Sequence, residues 1–435
     1  MRDILVLGWG FLSIPIAFYR PFYGMVVFSI LAYNRTQDLT WGIASRYRLS
    51  FYIAIATLVG FLLKPAGGKY LIIEKRTLLL LLLLVLIYGS VVYAEYPHLS
   101  YRKFYEFLKV MIIALVTPPL LINPKRVRIL FWTIALSLGF YGIKNALLFQ
   151  QIRNGPGGML LDNNDFSSAL VMVIPFLYYL SVSEEKPLYK RGFLIAVPLT
   201  MITIALTESR GGFLALATVF AVLVLKSKRR IIAICLAPFL VLVFFMVVPG
   251  RYLDRLSTIG NYEEDASAMG RLRAWGVALR MSEAYPWLGG GYRNFQSLYP
   301  DFSIPRGEKG RVAHNSYLQL MAESGRPALI VFLSLVLLTI WNSRQVERLA
   351  RGKADKPWYF YYASAIEVSL YGYMVGAFFL NRAHFDLLYH LVAISIAINV
   401  LARREVREEA IARSRQATPL SAETQERALV YGAGP

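Results

Sequence analysis

The chain has 435 residues, 56% of them hydrophobic and only 17% charged, and its mean hydropathy of +0.47 excludes a water-soluble globule. A single cysteine, Cys235, excludes a disulfide scaffold. The net charge of +20 must be located along the chain before any ligand, nucleic acid included, is inferred from it.

Uncharged runs such as 77–94 and 231–248 reach the ~18 residues or more that cross a hydrocarbon core. In chain order, apolar segments fall at about 4–19, 21–33, 50–64, 77–94, 105–122, 127–149, 166–182, 192–208, 211–226, 231–248, 327–343, 358–380 and 387–402. The first two are short and split by Arg20 and Pro21. No small-residue cleavage site follows the charged start, so the first segment is expected to stay in the membrane. Lys and Arg are retained on the cytoplasmic side, which assigns four stretches to that face: Lys125 with Arg126 and Arg128, 226–230, 344–356 and 403–415. The opposite face then receives loops 34–49, 150–165 and 381–386, together with one long hydrophilic insertion, 249–326. We expect an all-α polytopic membrane protein of about twelve transmembrane helices with both ends cytoplasmic. Its parts are a helix bundle over 1–248, the outer helical loop 249–326, the last transmembrane helices over 327–402 and a cytoplasmic tail over 403–435.

Topology accounts for much of the positive charge, but not for an outer face that is also basic. Loop 34–49 carries Arg35, Arg46 and Arg48 against Asp38, and the insertion carries nine Arg and one Lys against eight acids. Arginine presents a planar fork of donors that fits phosphate oxygens, whereas Lys is a point charge. An Arg-rich outer face runs against the orientation rule and points to an anionic ligand.

Within the insertion, Ser267 is a candidate cap for a helix over 268–284 that sets Arg271, Trp275, Ala278 and Ser282 on one face. Pro286 and Gly289 to Gly291 end it. A second helix is expected from His314 to Ser324, stopped by Gly325, with His314 in the first turn facing a cleft. The glycine-rich turn 288–295 lacks the Lys-Ser/Thr of a nucleotide P-loop. Arg210, beside Gly211 and Gly212, lies at the outer junction of two short spans, where an ionisable residue usually faces a cavity. Snorkelling to the interface is the alternative. One imidazole and several guanidiniums near lipid suit transfer from a lipid-linked pyrophosphate: arginines neutralise the leaving diphosphate and a neutral His accepts a proton from the attacking hydroxyl. His98, His314, His384 and His390 lack ligand spacing, and Asp162 with Asp165 in LDNNDF reads as a loop and helix start, so no metal and no other cofactor is expected.

The succession SRGG, R-x-x-x-W (Arg271 to Trp275), P-x-L-G-x-G (Pro286 to Gly291), Phe295 and H-N-S-Y-L-Q-L-x-x-E-x-G (His314 to Gly325) resembles the O-antigen ligase and polymerase superfamily. The N-terminal half is similar to O-glycosylation ligases associated with exosortase systems. The resemblance implies a polytopic glycosyltransferase of the GT-C-like kind in the bacterial inner membrane, with its active site facing the periplasm. It further implies transfer of a glycan from undecaprenyl pyrophosphate to the lipid A core oligosaccharide, with catalytic residues at Arg210, Arg271 and His314. Arg46, Arg48, Arg273, Trp275, Asn315 and Tyr317 are the further candidates for holding pyrophosphate or acceptor. On a helix Arg271 and Arg273 point about 200° apart, so only one can face the site. An O-antigen polymerase and a protein O-glycosylation ligase differ from this reading only in acceptor. An anion transporter lined by Arg210 and Lys144 is the rival from another class.

Overall fold

A computed structural model describes residues 2–36, 43–64, 68, 70–149, 152, 154–157, 160–227 and 266–417. The described chain is helical or irregular, apart from one isolated β-bridge between Asn154 and Asp162. Helices α1 (Arg2–Tyr19), α2 (Pro21–Tyr33) and α3 (Leu49–Leu63) open it, and α4 (Lys75–Val92), α5 (Pro97–Leu120), α6 (Pro124–Leu148), α7 (Asn163–Ser183), α8 (Pro187–Leu206) and α9 (Arg210–Lys226) follow. The insertion supplies α10 (Ala266–Ala284) and α11 (Phe295–Phe302), and the chain continues through α12 (Ser316–Leu349), α13 (Trp358–Gly376) and α14 (Asp386–Ala417). Seven described helices, α1, α4, α6, α7, α8, α12 and α14, are long and apolar enough to cross a membrane, and α2 and α3 are apolar but shorter. The protein is a multi-pass, all-helical membrane protein. The expected span 231–248, residues 249–265, the side chain of Ser267 and residues beyond 417 lie outside the described residues.

Local chemistry sets the helix starts. Proline opens α2, α5, α6 and α8, where its missing N–H would have had no intrahelical partner. Asn123, Asp162, Ser209 and Asn315 cap α6, α7, α9 and α12 with side-chain oxygens.

In the core, α7 is buried along most of its length and packs against α6, α8, α9 and α13. Lipid gives helices no hydrophobic reason to associate, so close packing must hold them. Small residues supply it: a Cβ at Gly142 would lie 2.3 Å from Thr200 Oγ1, and one at Gly372 would lie 2.6 Å from Val219 Cγ2. Phe131 stacks between Phe176 and Tyr362 with centroids 4.4 Å away on each side.

Charge divides the bundle into two ends. At the end assigned to the cytoplasm, Lys226 of α9 bridges Glu347 of α12 and Glu367 of α13, at 2.6 Å each, and Arg344 also reaches Glu367 at 2.7 Å. There too Arg128 pairs with Glu184, and the fully buried Arg76 is held by Glu74 and Ser395. Each pair joins separate helices or fixes a helix start, so the Lys and Arg that orient the chain also lock that end.

One expectation is overturned. The Ala44 N–H donates to the Asp3 carboxylate at 2.9 Å and Phe11 packs on Tyr47, so α1 starts at the same end as loop 34–49. Helix α14 instead runs from Asp386, near Arg35, to the end of the bundle where Glu409 pairs with Lys353, beyond the Lys226 and Arg344 ion pairs. The start of α1 and the end of α14 therefore lie at opposite ends of the bundle, against the expectation that both ends of the chain share one face. Arg20 and Pro21 turn α1 and α2 into an antiparallel pair, not one crossing, with Gly24 packed against Ala17 and Thr57.

Candidate active site

At the end opposite the ion-pair lock, the starts of α7, α9 and α12 converge with the 377–386 turn. Ser209 explains the first part of SRGG: its hydroxyl accepts from the Gly212 N–H at 3.1 Å and donates to Asn164 Oδ1 at 2.7 Å. The glycines permit the approach. A Cβ on Gly212 would sit 1.9 Å from Ser167 Oγ, and one on Gly211 would sit 2.7 Å from Phe379 Cβ. Arg210 is thereby placed, half-buried, in the first turn of α9 beside the start of α7. Asp162 caps α7 through the N–H groups of Asn164 (2.8 Å) and Asp165 (3.4 Å), so the expected helix-start role of this motif holds.

The motif from His314 to Gly325 is a set of fasteners. Asn315 caps α12 through the N–H groups of Tyr317 and Leu318, at 3.0 and 3.1 Å. Ser316 latches onto the 377–382 turn: its N–H donates to Ala377 O, its hydroxyl donates to Leu380 O and accepts from the Arg382 N–H, each at 2.8 Å. Gln319 accepts from the Ala313 N–H at 3.1 Å and donates to the buried Glu323 at 2.7 Å. The Glu323 carboxylate in turn accepts from the backbone N–H groups of Arg293 and Phe295. From the far side, Trp275 Nε1 donates to Ala313 O at 3.0 Å. His314 is thus held from both directions at a left-handed φ of 48°. It precedes the cap, which corrects the expectation of a place in the first helical turn.

His314 is half-buried. Burial depresses its pKa first and the neighbouring Arg271 guanidinium second, against a smaller opposing pull from Asp162. The ring is therefore neutral at pH 7 and able to take a proton. Arg273 stands exposed on the opposite face of α10 and pairs with Glu308 at 3.3 Å. The reason is the core of the insertion, where Ala274, Val277, Ala278 and Met281 bury against Phe295, Leu298, Ala313 and Ala322 and fix the rotation of α10. Arg273 accordingly leaves the candidate set. Arg273→Ala is expected to change kcat less than about threefold, as a half-exposed pair contributes ~0 to 1 kcal/mol; rates with purified protein at saturating substrate check this.

The polar groups of Trp275, Asn315 and Tyr317 are engaged internally, the last donating to Met374 O at 2.7 Å, which gives each a structural task beside His314. Arg46 and Arg48 are exposed beside α1, and nothing among the described residues ties either to His314.

Three residues missed in the sequence join the site. Arg293 and Arg382 each point Nη1 at His384 Nε2, at 3.4 Å. A guanidinium can only donate, so Nε2 is the bare nitrogen and the ring is neutral. Burial, then Arg293 and Arg382, hold the His384 pKa well below its ordinary value. Arg382 also pairs with Asp165, one helical turn beyond Asp162, so α7 links the His314 group to the His384 group. The signal was present as two basic side chains within NRAHFD, a six-residue outer turn. A neutral imidazole among guanidiniums can accept a proton from a hydroxyl while the guanidiniums stabilise an anion.

Residues 194–333 match the model of the family described as O-antigen ligase, and residues 1–181 match a family of unknown function, DUF5935. No curated protein matches the chain.

Proposed function

We propose that this chain, which belongs to the O-antigen ligase superfamily, transfers a glycan from undecaprenyl pyrophosphate to a sugar hydroxyl of lipid A core at the periplasmic face of the bacterial inner membrane. The observation that carries the reading is the half-buried, neutral His314 set beside Arg271 and Asp162, with Arg210 at the adjoining helix start. In the reaction the acceptor oxygen attacks the anomeric carbon from the face opposite the diphosphate, and the configuration inverts. The bond from that carbon to the diphosphate oxygen breaks, and undecaprenyl diphosphate leaves with the electron pair. The acceptor proton passes to His314. Arg210 and Arg271 offset the diphosphate charge, and Arg293 and Arg382 extend the basic surface toward the rest of the donor head group. No metal or other cofactor enters these steps. An anion path is disfavoured because Lys144 is exposed with its ammonium over Phe140, as expected of a snorkelling residue.

The test is transfer in vitro from a lipid-linked glycan to purified rough lipopolysaccharide, with and without chelator. Glycan on lipid A core that survives chelation supports the proposal. Longer lipid-linked chains or glycoprotein would reassign the acceptor, and anion uptake by vesicles without any transfer would overturn it.

The acid limb of the pH profile is a further prediction. A base with a depressed pKa is lost only as pH falls below that lowered value, so kcat/KM should stay flat through pH ~6.5, the ordinary histidine value, and fall only at more acid pH. Arg271→Gln removes the second depressing cause and should move the limb to higher pH; an unmoved limb would separate Arg271 from His314.

A further inference from the structure

Helix α10 has a second face. Turned away from His314, it carries Arg273 and Arg280, seven residues apart on the same side, over two adjoining cavities that share Arg280 and Ile304. The smaller, about 300 Å³, is lined in part by the Arg273–Glu308 pair and Tyr299. The larger, about 870 Å³, lies between the insertion and loop 93–96, which is fastened there by the Glu95 N–H to Gly290 O. Its size falls within the range of about 300–1,000 Å³ that holds small organic ligands.

The lining chemistry differs from that of the arginine site. Two carboxylates, Glu95 and Asp301, face two guanidiniums, Arg280 and Arg306, so the local charge balances and a phosphate gains no net attraction. Tyr285 and Phe302 add ring faces, with centroids 6.0 Å apart, and the Tyr285 hydroxyl donates to Glu95 at 2.9 Å. Arg280 is fixed by donating to Phe302 O at 2.8 Å. Carboxylates and guanidiniums accept and donate in pairs, matching vicinal hydroxyls, while aromatic faces accept the positively polarised C–H side of a sugar ring. From Gly307 in this cavity the chain reaches His314 in seven residues, a span of at most about 25 Å.

We propose that this face of the insertion is a binding groove for an oligosaccharide of low net charge, which holds the glycan of one transfer substrate at a distance from its reacting end. The assignment rests on the transfer reading for its purpose, but the groove can be tested without turnover.

The probes are lipid-free oligosaccharides released by mild acid from lipopolysaccharide of the source cell, separated into core and repeat-unit chains, with inorganic phosphate as competitor. Binding is measured on full-length protein in nanodiscs by saturation-transfer NMR. The His314→Ala protein should bind as the wild type does. A protein carrying Asp301→Asn with Arg306→Gln should bind about tenfold more weakly or worse, as expected when paired charged hydrogen bonds are lost. The fraction that binds identifies the source as acceptor core or donor chain, and in the transfer assay the same double variant should raise KM for that substrate with kcat unchanged. Unchanged binding by the double variant, or displacement by phosphate at millimolar concentration, would overturn the groove. Sugar binding that persists in a protein without any transfer activity would instead overturn the reaction and leave the groove standing.

Discussion

Replacing His314 with Ala is expected to reduce transfer by about a thousandfold or more, the scale of a lost general base, while protein level and donor synthesis stay normal. Cells carrying the variant should display rough lipopolysaccharide, and initial rates with purified protein should fall in kcat/KM. The backbone complicates interpretation, because at φ 48° an Ala carries strain that His tolerates better. His314→Asn removes that objection: Asn is favoured in the left-handed region, so its loss of rate reports on the ring alone. Normal smooth lipopolysaccharide in both variants would sink the assignment. Asn315, Ser316 and Gln319 continue to hold the segment in either variant, so the folded protein should survive.

The second large effect is expected at Gly325, and it falls on folding. Gly325 has φ 85° and ψ 166°, a region that only glycine occupies without strain. A Cβ there would meet the carbonyl oxygen of Trp287 at 2.1 Å and its carbon at 2.4 Å, backbone atoms that cannot swing aside. The residue is the kink at which the outer part of α12, carrying Gln319 and Glu323, changes direction into the long apolar part. Just beyond it, the Arg326 N–H is fastened to Pro286 O at 2.9 Å. Gly325→Ala should cost several kcal/mol, about 1–3 from backbone strain alone, with the clash adding to it. The expected result is loss of the monodisperse peak in size exclusion and a lower Tm in detergent. A variant with wild-type Tm and transfer would show that the kink is dispensable.

Much of this architecture can be read from the chain, and the failures have physical causes. The polytopic class follows from uncharged runs such as 77–94, because the length of a hydrocarbon core leaves few alternatives. His314 and Arg210 stand out because each sits in a short run whose neighbours have distinct tasks: cap, latch and close approach. The R-x-x-x-W spacing favours Arg271 over Arg273, but only the buried face of α10 supplies the reason, since helical spacing excludes one without saying which. Arg382 and His384 carry no motif that joins them to the site, because their partners Arg293 and Asp165 are distant in sequence. The end at which α1 starts is not legible because two short apolar segments around Arg20 allow either parity, and the hydrogen bond that decides it, Ala44 to Asp3, leaves no mark in composition. For Trp275, Asn315 and Tyr317 the motif marks residues that matter without distinguishing those that act from those that hold, and their internal hydrogen bonds become visible only in the structure.

The left-handed backbone at His314 sets a limit on how this protein can vary. Judged by conformation alone, Gly or Asn would suit position 314 better than most residues; judged by proton transfer, neither can serve. Histidine is among the few side chains both enriched in that conformation and able to carry a proton near neutral pH, so two independent demands narrow to one residue. With His314 as the proton acceptor proposed above, selection for robustness alone would drift away from it, and transfer would be retained against a small but constant pull toward a more stable, inactive protein.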